Sequence, residues 1–406
     1  MADKVELLCP AGDLERVKMA LHFGADAVYI AGREFGMRSA SVNFSDEDLR
    51  LAVSLAHASG ARLYVTCNTL PREDELVRLP AYLAFLQESG VDALIVADLG
   101  VMRLAKKYAP EVSLHVSTQL GVINSETAKV LCEMGADTVV LARETPLADI
   151  RKIRASTPEK LRIEAFVHGA MCVSFSGRCL LSNYMTGRDA NRGQCAQPCR
   201  WKYHLVEEKR PGEYFEISED EGTHILNSRD MCMIEHLGEL IDAGVTSLKI
   251  EGRMKSAYYT AVITNAYRHA LDAALEGKPL APLWIEETDK VSHRPYSTGF
   301  YYGYPGQHDS QSSYISTYDV VAVVEACDEQ GNAVLTQRNK FSAGDELELL
   351  GRDVPPLRFT AAEMRDDEGN EIIAAPHAMM RFSMKLPCRA EPLSILRKER
   401  VAKQFP

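Results

Sequence analysis

One unit recurs along the first two-thirds of the chain and limits the possible folds more than any other feature. A helix ends at a glycine and a short apolar strand follows at once: Gly24-Ala-Asp-Ala-Val-Tyr-Ile30, Gly90-Val-Asp-Ala-Leu-Ile-Val96, Gly135-Ala-Asp-Thr-Val-Val-Leu141 and Gly244-Val-Thr-Ser-Leu-Lys-Ile250. Glycine just past a helix end takes the left-handed conformation without steric cost. The strands are near-continuous apolar runs, the pattern of a parallel sheet covered on both faces. Comparable strands stand at 6–9, 63–66, 114–117 and 163–167, with helical patterns between them at 14–23, 46–58 and 81–89. Eight such units in about 280 residues fit an α/β (β/α)8 TIM-like barrel better than a doubly wound open sheet, the alternative architecture.

A chain of 406 residues is long enough for a large domain and a smaller one. The barrel is expected over 1–280. Most of its connections are short, but the one after strand seven runs from about 169 to 243 and carries a group of cysteines. Loops of that length in compact domains are usually functional or disordered. Pro279, Pro282 and Pro295 precede Tyr296-Ser-Thr-Gly-Phe-Tyr-Tyr-Gly303, so 281–318 reads as a connector. From 319 to 406 the apolar residues alternate with period two, at 320–324, 333–335, 346–350 and 380–384. Turns at Gly331-Asn332 and Gly344-Asp345 separate the runs, which predicts a small β-barrel domain.

The N-terminus has no apolar signal core, and no apolar run reaches bilayer length, so a cytoplasmic protein with no membrane partner is expected. A net charge of −11 argues against non-specific coating of nucleic acid, which needs clustered cations. Ten cysteines in a reducing compartment are expected as free thiols or metal ligands. Cys9, Cys67, Cys132, Cys327 and Cys388 are scattered among apolar neighbours and read as small core residues.

Cys172, Cys179, Cys195 and Cys199 are different, being separated by six, fifteen and three residues. Four thiolates brought together hold zinc or an iron–sulfur cluster. Structural zinc sites favour two close cysteine pairs, and only Cys195 and Cys199 match that. Unliganded thiols are the third reading. Cys232 stands a little further on, with Ile234 and Leu237 on an expected amphipathic helix, and its default place is the core. The same stretch holds Arg178, Arg188, Arg192, Arg200 and Lys202 against Asp189 alone, interleaved with Phe175, Tyr184, Trp201 and Tyr203. Cations for phosphates and flat rings for stacking suit single-stranded or looped RNA. A solvated loop that balances the charge of a cluster explains the same residues.

In a barrel, function gathers at the strand carboxyl ends. Asn68, Asp98, Gln119, Arg143 and Glu144 follow strands three to six, and Glu164 and His168 belong to strand seven. Strand eight delivers Lys249, Glu251, Arg253 and Lys255. His168, Glu251, Arg253 and Arg143 are the catalytic candidates. Asn68, Gln119, Glu144 and Lys249 are expected to bind a polar, anionic small substrate, and Arg178, Arg200 and Trp201 the RNA. Against this, Glu251 and Arg143 could form a plain buried ion pair, and His168 a satisfied core histidine. No peptidase or phosphate-loop motif is present.

Several longer motifs carry a resemblance: Glu6-Leu-Leu-Cys-Pro-Ala-Gly12, Phe166-Val-His-Gly-Ala-Met-Cys172, Ser176-Gly-Arg-Cys-Leu-Leu-Ser182, Cys199-Arg-Trp201, Ser247-Leu-Lys-Ile-Glu-Gly-Arg253 and Arg338-Asn-Lys-Phe-Ser-Ala-Gly-Asp345. With them the chain resembles the collagenase-like peptidase "U" family, nearest its prephenate-dependent tRNA uridine hydroxylases. The family also includes a ribosomal RNA cytidine hydroxylase and ubiquinone hydroxylation factors. The resemblance implies a [4Fe-4S] cluster on Cys172, Cys179, Cys195 and Cys199, prephenate as co-substrate, and tRNA as the partner hydroxylated at the wobble uridine. Zinc remains the alternative metal, with Cys232 open to one exchange. A peptidase and a non-catalytic scaffold are the rival functions. The ubiquinone factors are shorter and work in pairs, so a homo- or hetero-oligomer stays open.

Overall fold

The protein is seen in a computed structural model that describes residues 5–37, 43–172, 174, 179–201, 212, 229–305 and 314–400. Eight parallel strands close a barrel: β1 (Glu6–Pro10), β2 (Ala27–Ile30), β3 (Arg62–Cys67), β4 (Ala93–Val96), β5 (Ser113–Val116), β6 (Thr138–Val140), β7 (Arg162–Ala170) and, after one further strand, β9 (Ser247–Ile250). Neighbours pair in order, and β9 pairs with both β7 and β1, which closes the ring. The outer layer holds α1 (Leu14–His22), α2 (Asp46–Ala58), α3 (Glu73–Leu76), α4 (Leu79–Glu88), α5 (Leu99–Tyr108), α6 (Ser125–Glu133) and α7 (Leu147–Ser156). Next in the chain are α8 (Leu181–Thr186), α9 (Leu237–Asp242) and the long α10 (Ala257–Leu275). Among the described residues no helix is long and apolar enough to cross a membrane.

The structure explains the recurring glycine unit. Gly24, Gly90, Gly135 and Gly244 all have positive φ, between 78° and 100°. At Gly244 a Cβ would also stand 2.2 Å from the Arg154 side chain. Two residues after each glycine is a side chain that accepts the N–H of the preceding strand. Asp26 takes that of Leu7 (2.9 Å), Asp92 that of Leu63 (2.7 Å), Asp137 that of Leu114 (2.8 Å) and Thr246 that of Ile163 (3.2 Å). Each odd strand of the ring is thus fastened by the strand that follows it.

Strand β7 runs three residues beyond its predicted end. Its extension pairs antiparallel with β8 (Asp230–Cys232), which in turn pairs with β10 (Tyr296–Ser297). Cys232 therefore ends a short strand, and the helix expected around it begins only at Leu237, after a turn of 3-10 helix at Ile234–His236. Helix α11 (Pro282–Thr288) leads to the C-terminal antiparallel domain. It comprises β11 (Tyr318–Cys327), β12 (Asn332–Gln337), β13 (Phe341–Ser342), β14 (Glu346–Leu350), β15 (Leu357–Thr360), β16 (Arg365–Asp366), β17 (Ala374–Ala375), β18 (Arg381–Lys385) and β19 (Ile395–Glu399). Seven of these form one sheet in the order β15-β14-β19-β11-β12-β18-β16, and β13 pairs with β17. Val323, Leu350 and Ile395 pack into the core of the barrel, and Arg338 reaches Glu15 on α1.

Candidate active site

Alternation along the strands sends every second side chain into the barrel. At the amino-terminal end these are polar and largely joined to one another, with His115 Nδ1 and Thr138 Oγ1 left without a hydrogen bond. Glu6, fully buried, accepts from Tyr64 Oη (2.7 Å) and Ser247 Oγ (2.9 Å) and pairs with Arg62 (2.7 Å). His115 lies against the Tyr64 ring, and burial pushes its imidazole well below its ordinary value, so it is neutral. Glu164 pairs with Lys249 Nζ at 2.7 Å, and both are buried.

Above this layer opens a cavity of about 210 Å³ at the carboxyl ends of the strands. Its floor includes Tyr29, Ile95, Val140 and Phe166, and its rim carries Asn68, Gln119, Arg143, Glu144, Lys249, Glu251 and Arg253. Cys172, Cys179, Cys195 and Cys199 line the same cavity. The structure therefore brings together eleven residues that the sequence had singled out.

The cations are held in place. Lys249 Nζ lies 4.6 Å from the centre of the Tyr29 ring, and Arg143 stacks 4.0 Å over Phe166 while donating to the Ala170 carbonyl (2.9 Å). Arg253 donates to Thr66 Oγ1 (3.0 Å) and the Met37 carbonyl (2.6 Å). A polar chain crosses the rim: the Met37 N–H donates to Asn68 Oδ1 (3.0 Å), and Asn68 Nδ2 donates to Gln119 Oε1 (2.7 Å). Pre-placed donors and cations of this kind suit a carboxylate-bearing ligand. At the seam between β7 and β9 only glycine fits at 169, because a Cβ there would stand 2.6 Å from the Glu251 carbonyl.

All ten cysteines are free thiols. Cys172 is exposed, and Cys179, Cys195 and Cys199 are half-buried. Backbone N–H groups point at two of the sulfurs, Ser174 to Cys172 Sγ and Gln197 to Cys195 Sγ, each at 3.4 Å. Among the described residues, however, no group of three or more His, Cys, Asp or Glu is placed to hold a metal ion. The four cysteines line the cavity without forming such a group.

Models of peptidase family U32 and of its C-terminal domain match residues 12–311 and 316–397. The chain belongs to peptidase family U32. Among its U32 relatives is a Bacillus subtilis protein named tRNA hydroxylation protein P1, 39% identical over 402 residues, which are 97% of this chain and 95% of that one. A 23S rRNA 5-hydroxycytidine synthase of Escherichia coli is 43% identical over 300 residues, 72% of this chain and 44% of its own. A Porphyromonas gingivalis protein named collagenase is 32% identical over 311 residues, 73% of each chain.

One catalytic candidate of this U32 chain lies elsewhere. Strand β7 bulges between Phe166 and His168, so His168 pairs with Ile250 and shares its outward face, while Phe166 pairs with inward-facing Lys249. The His168 ring is buried against α10, with Nδ1 3.2 Å from Tyr267 Oη and the Tyr259 and Tyr296 rings alongside. Burial lowers its pKa to about 3. It is a neutral core histidine. Asp98 caps α5 by accepting the Val101 N–H. Trp201 is exposed and outside the cavity lining. Cys232 is also absent from that lining and lies 3.7 Å from Tyr267 Oη. Arg178 and the Arg200 side chain are outside the described part, as are Phe175, Lys202 and Tyr203. The sequence reading missed Met37, Thr66, Ser117 and Gln197. Thr66 and Ser117 stand two residues before Asn68 and Gln119 on the same inward face, so alternation would have found them. Met37 and Gln197 come from loops and leave no such signal.

Proposed function

We propose that this chain hydroxylates RNA, at C5 of the wobble uridine of tRNA, with prephenate as co-substrate and a [4Fe-4S] cluster on Cys172, Cys179, Cys195 and Cys199. One observation carries the reading: the four thiols share a cavity with Arg143, Lys249 and Arg253. The relatives named for tRNA and rRNA hydroxylation support the RNA substrate. A single zinc ion needs its four ligands around one point. A four-iron cube offers separate corners and accepts looser spacing, which suits the gaps of six and fifteen residues between the first three cysteines.

The chain's own residues then divide the work. Lys249, Arg143 and Arg253 bind the carboxylates of the co-substrate, each cation being already oriented by a carbonyl, hydroxyl or ring. Asn68 and Gln119 orient it through their fixed amides. The apolar floor of Tyr29, Ile95 and Phe166 excludes water beneath it. When bound, the cluster supplies electron transfer or oxygen activation. Arg178, Arg200 and Trp201 hold the RNA.

Nucleoside mass spectrometry of tRNA from a deletion strain tests this, with loss of 5-hydroxyuridine and its derivatives as the expected result. Complementation with Cys172→Ala should leave the modification absent while the protein still folds, because Cys172 is exposed. Unchanged 5-hydroxyuridine, together with gelatin cleavage that follows the protein through purification, would favour the peptidase activity for which the collagenase relative is named.

A further inference from the structure

The two ends of the Cys-rich segment are anchored differently. At its start, the Ala170 carbonyl is held by Arg143 (2.9 Å) and the Met171 carbonyl by Arg294 Nη2 (3.5 Å). Arg294 is itself locked by the buried Asp230, at 3.0 and 2.8 Å. Cys172 follows directly on the barrel wall. Cys195 and Cys199, by contrast, lie far along the segment, among short turns. Internal bonds make that stretch one unit: the Ala196 N–H donates to buried Ser182 Oγ (3.0 Å), and the Gln194 N–H to the Asp189 carbonyl (3.0 Å). A unit so joined needs a tie to the barrel, and Arg192 supplies one. Its Nη2 meets Glu75 Oε1 at 2.5 Å, across 117 residues of sequence, with both side chains about three-quarters buried. Glu75 lies on α3, in the connection after β3. Its other oxygen accepts the Arg72 N–H (2.8 Å), so the carboxylate is set before Arg192 arrives.

We infer that the Arg192–Glu75 ion pair is a latch that brings Cys195 and Cys199 to the cavity wall and so completes the four-sulfur set. Glu75 and Arg192 are positioning residues in this account, which rests on the cluster reading above. Exposed ion pairs contribute little. This one is partly desolvated and joins two separate elements, so reversing one charge displaces the unit.

The test compares the full-length wild type, Glu75→Arg, Arg192→Glu and the double exchange. Each is reconstituted anaerobically with iron and sulfide, and iron, labile sulfide and visible absorbance are measured per chain. Iodoacetamide labelling of Cys195 and Cys199 is followed by mass spectrometry in the metal-free proteins. Each single reversal should lower cluster occupancy about fivefold and speed labelling by a similar factor, and the double exchange should restore both. Single variants that fill and label like the wild type overturn the latch, as does a folded double exchange that restores neither. A wild type that takes up no iron removes the cluster reading instead. The labelling rates then decide on the latch alone, and equal rates in all four proteins reject it.

Discussion

Lys249 shows how one side chain can serve both the core and the site. Its ammonium is buried, paired at 2.7 Å with Glu164, which has no exposed surface. The same group faces the cavity across the Tyr29 ring. Lys249→Met leaves the Glu164 carboxylate buried with its cation gone, and breaking a buried pair in this way costs about 3–5 kcal/mol. Urea unfolding should read that loss. Adding Glu164→Gln should return most of it, since an amide in the same place needs no counter-charge. The double variant should nonetheless bind prephenate at least about tenfold more weakly by calorimetry, the scale of one lost charge-assisted bond. Recovered binding in the double variant would remove Lys249 from the ligand site while leaving its structural role intact.

At the level of elements, the ring is built from pairs of strands. Asp137 accepts the Leu114 N–H at the start of β5, a donor that the barrel ladder leaves open. Asp137→Ala should cost about 1–2 kcal/mol, seen as a lower urea midpoint with an unchanged slope, because only one hydrogen bond is removed. This fastening is why so much of the barrel was legible: glycine, a polar acceptor and an apolar run recur together because each has a fixed task at the strand start. The rim of the site was legible for the same reason, since Asn68, Gln119, Arg143 and Arg253 follow strand ends that periodicity locates and Lys249 lies on such a strand. What periodicity could not supply was the bulge in β7. Two-residue alternation puts His168 on the face of Phe166, and one extra residue in the pairing turns it to the other side. The β8 strand was hidden too, because Asp230–Cys232 is a three-residue piece formed by pairing with the extended β7 and with β10. The Arg192–Glu75 contact leaves no local trace at all, its partners being 117 residues apart.

For the molecule as a whole, the decisive contact is between the barrel side and the C-terminal sheet. Arg397 on β19 has no exposed surface and meets Glu287 of α11 at 2.6 and 2.7 Å and Glu348 of β14 at 2.9 and 2.7 Å. Lys290 adds bonds of 2.8 and 3.2 Å to the same two acids. Arg397 and Lys290 hold the Glu348 carboxyl down at about 2, against the opposing effect of burial. A lowered carboxylate stabilises the fold above its unfolded value of 4.5 and loses that contribution as pH falls towards 2. Because α11 also packs on α10 through the stacked rings of Trp284 and His269, the network couples the two parts of the chain. Arg397→Met leaves Glu287 with Lys290 and Glu348 with Lys290 and the largely exposed Arg358, and should destabilise by about 3–5 kcal/mol near neutral pH. Calorimetry should then show two transitions where the wild type has one, because the sheet keeps its own core around Leu335, Phe341 and Phe382 while its dock is lost. Lowering the pH below 4.5 should narrow the gap between variant and wild type, as protonation relieves the stranded acids. A variant that still melts in one step at the wild-type temperature would place the coupling in the apolar seam of Val323, Leu350 and Ile395 instead.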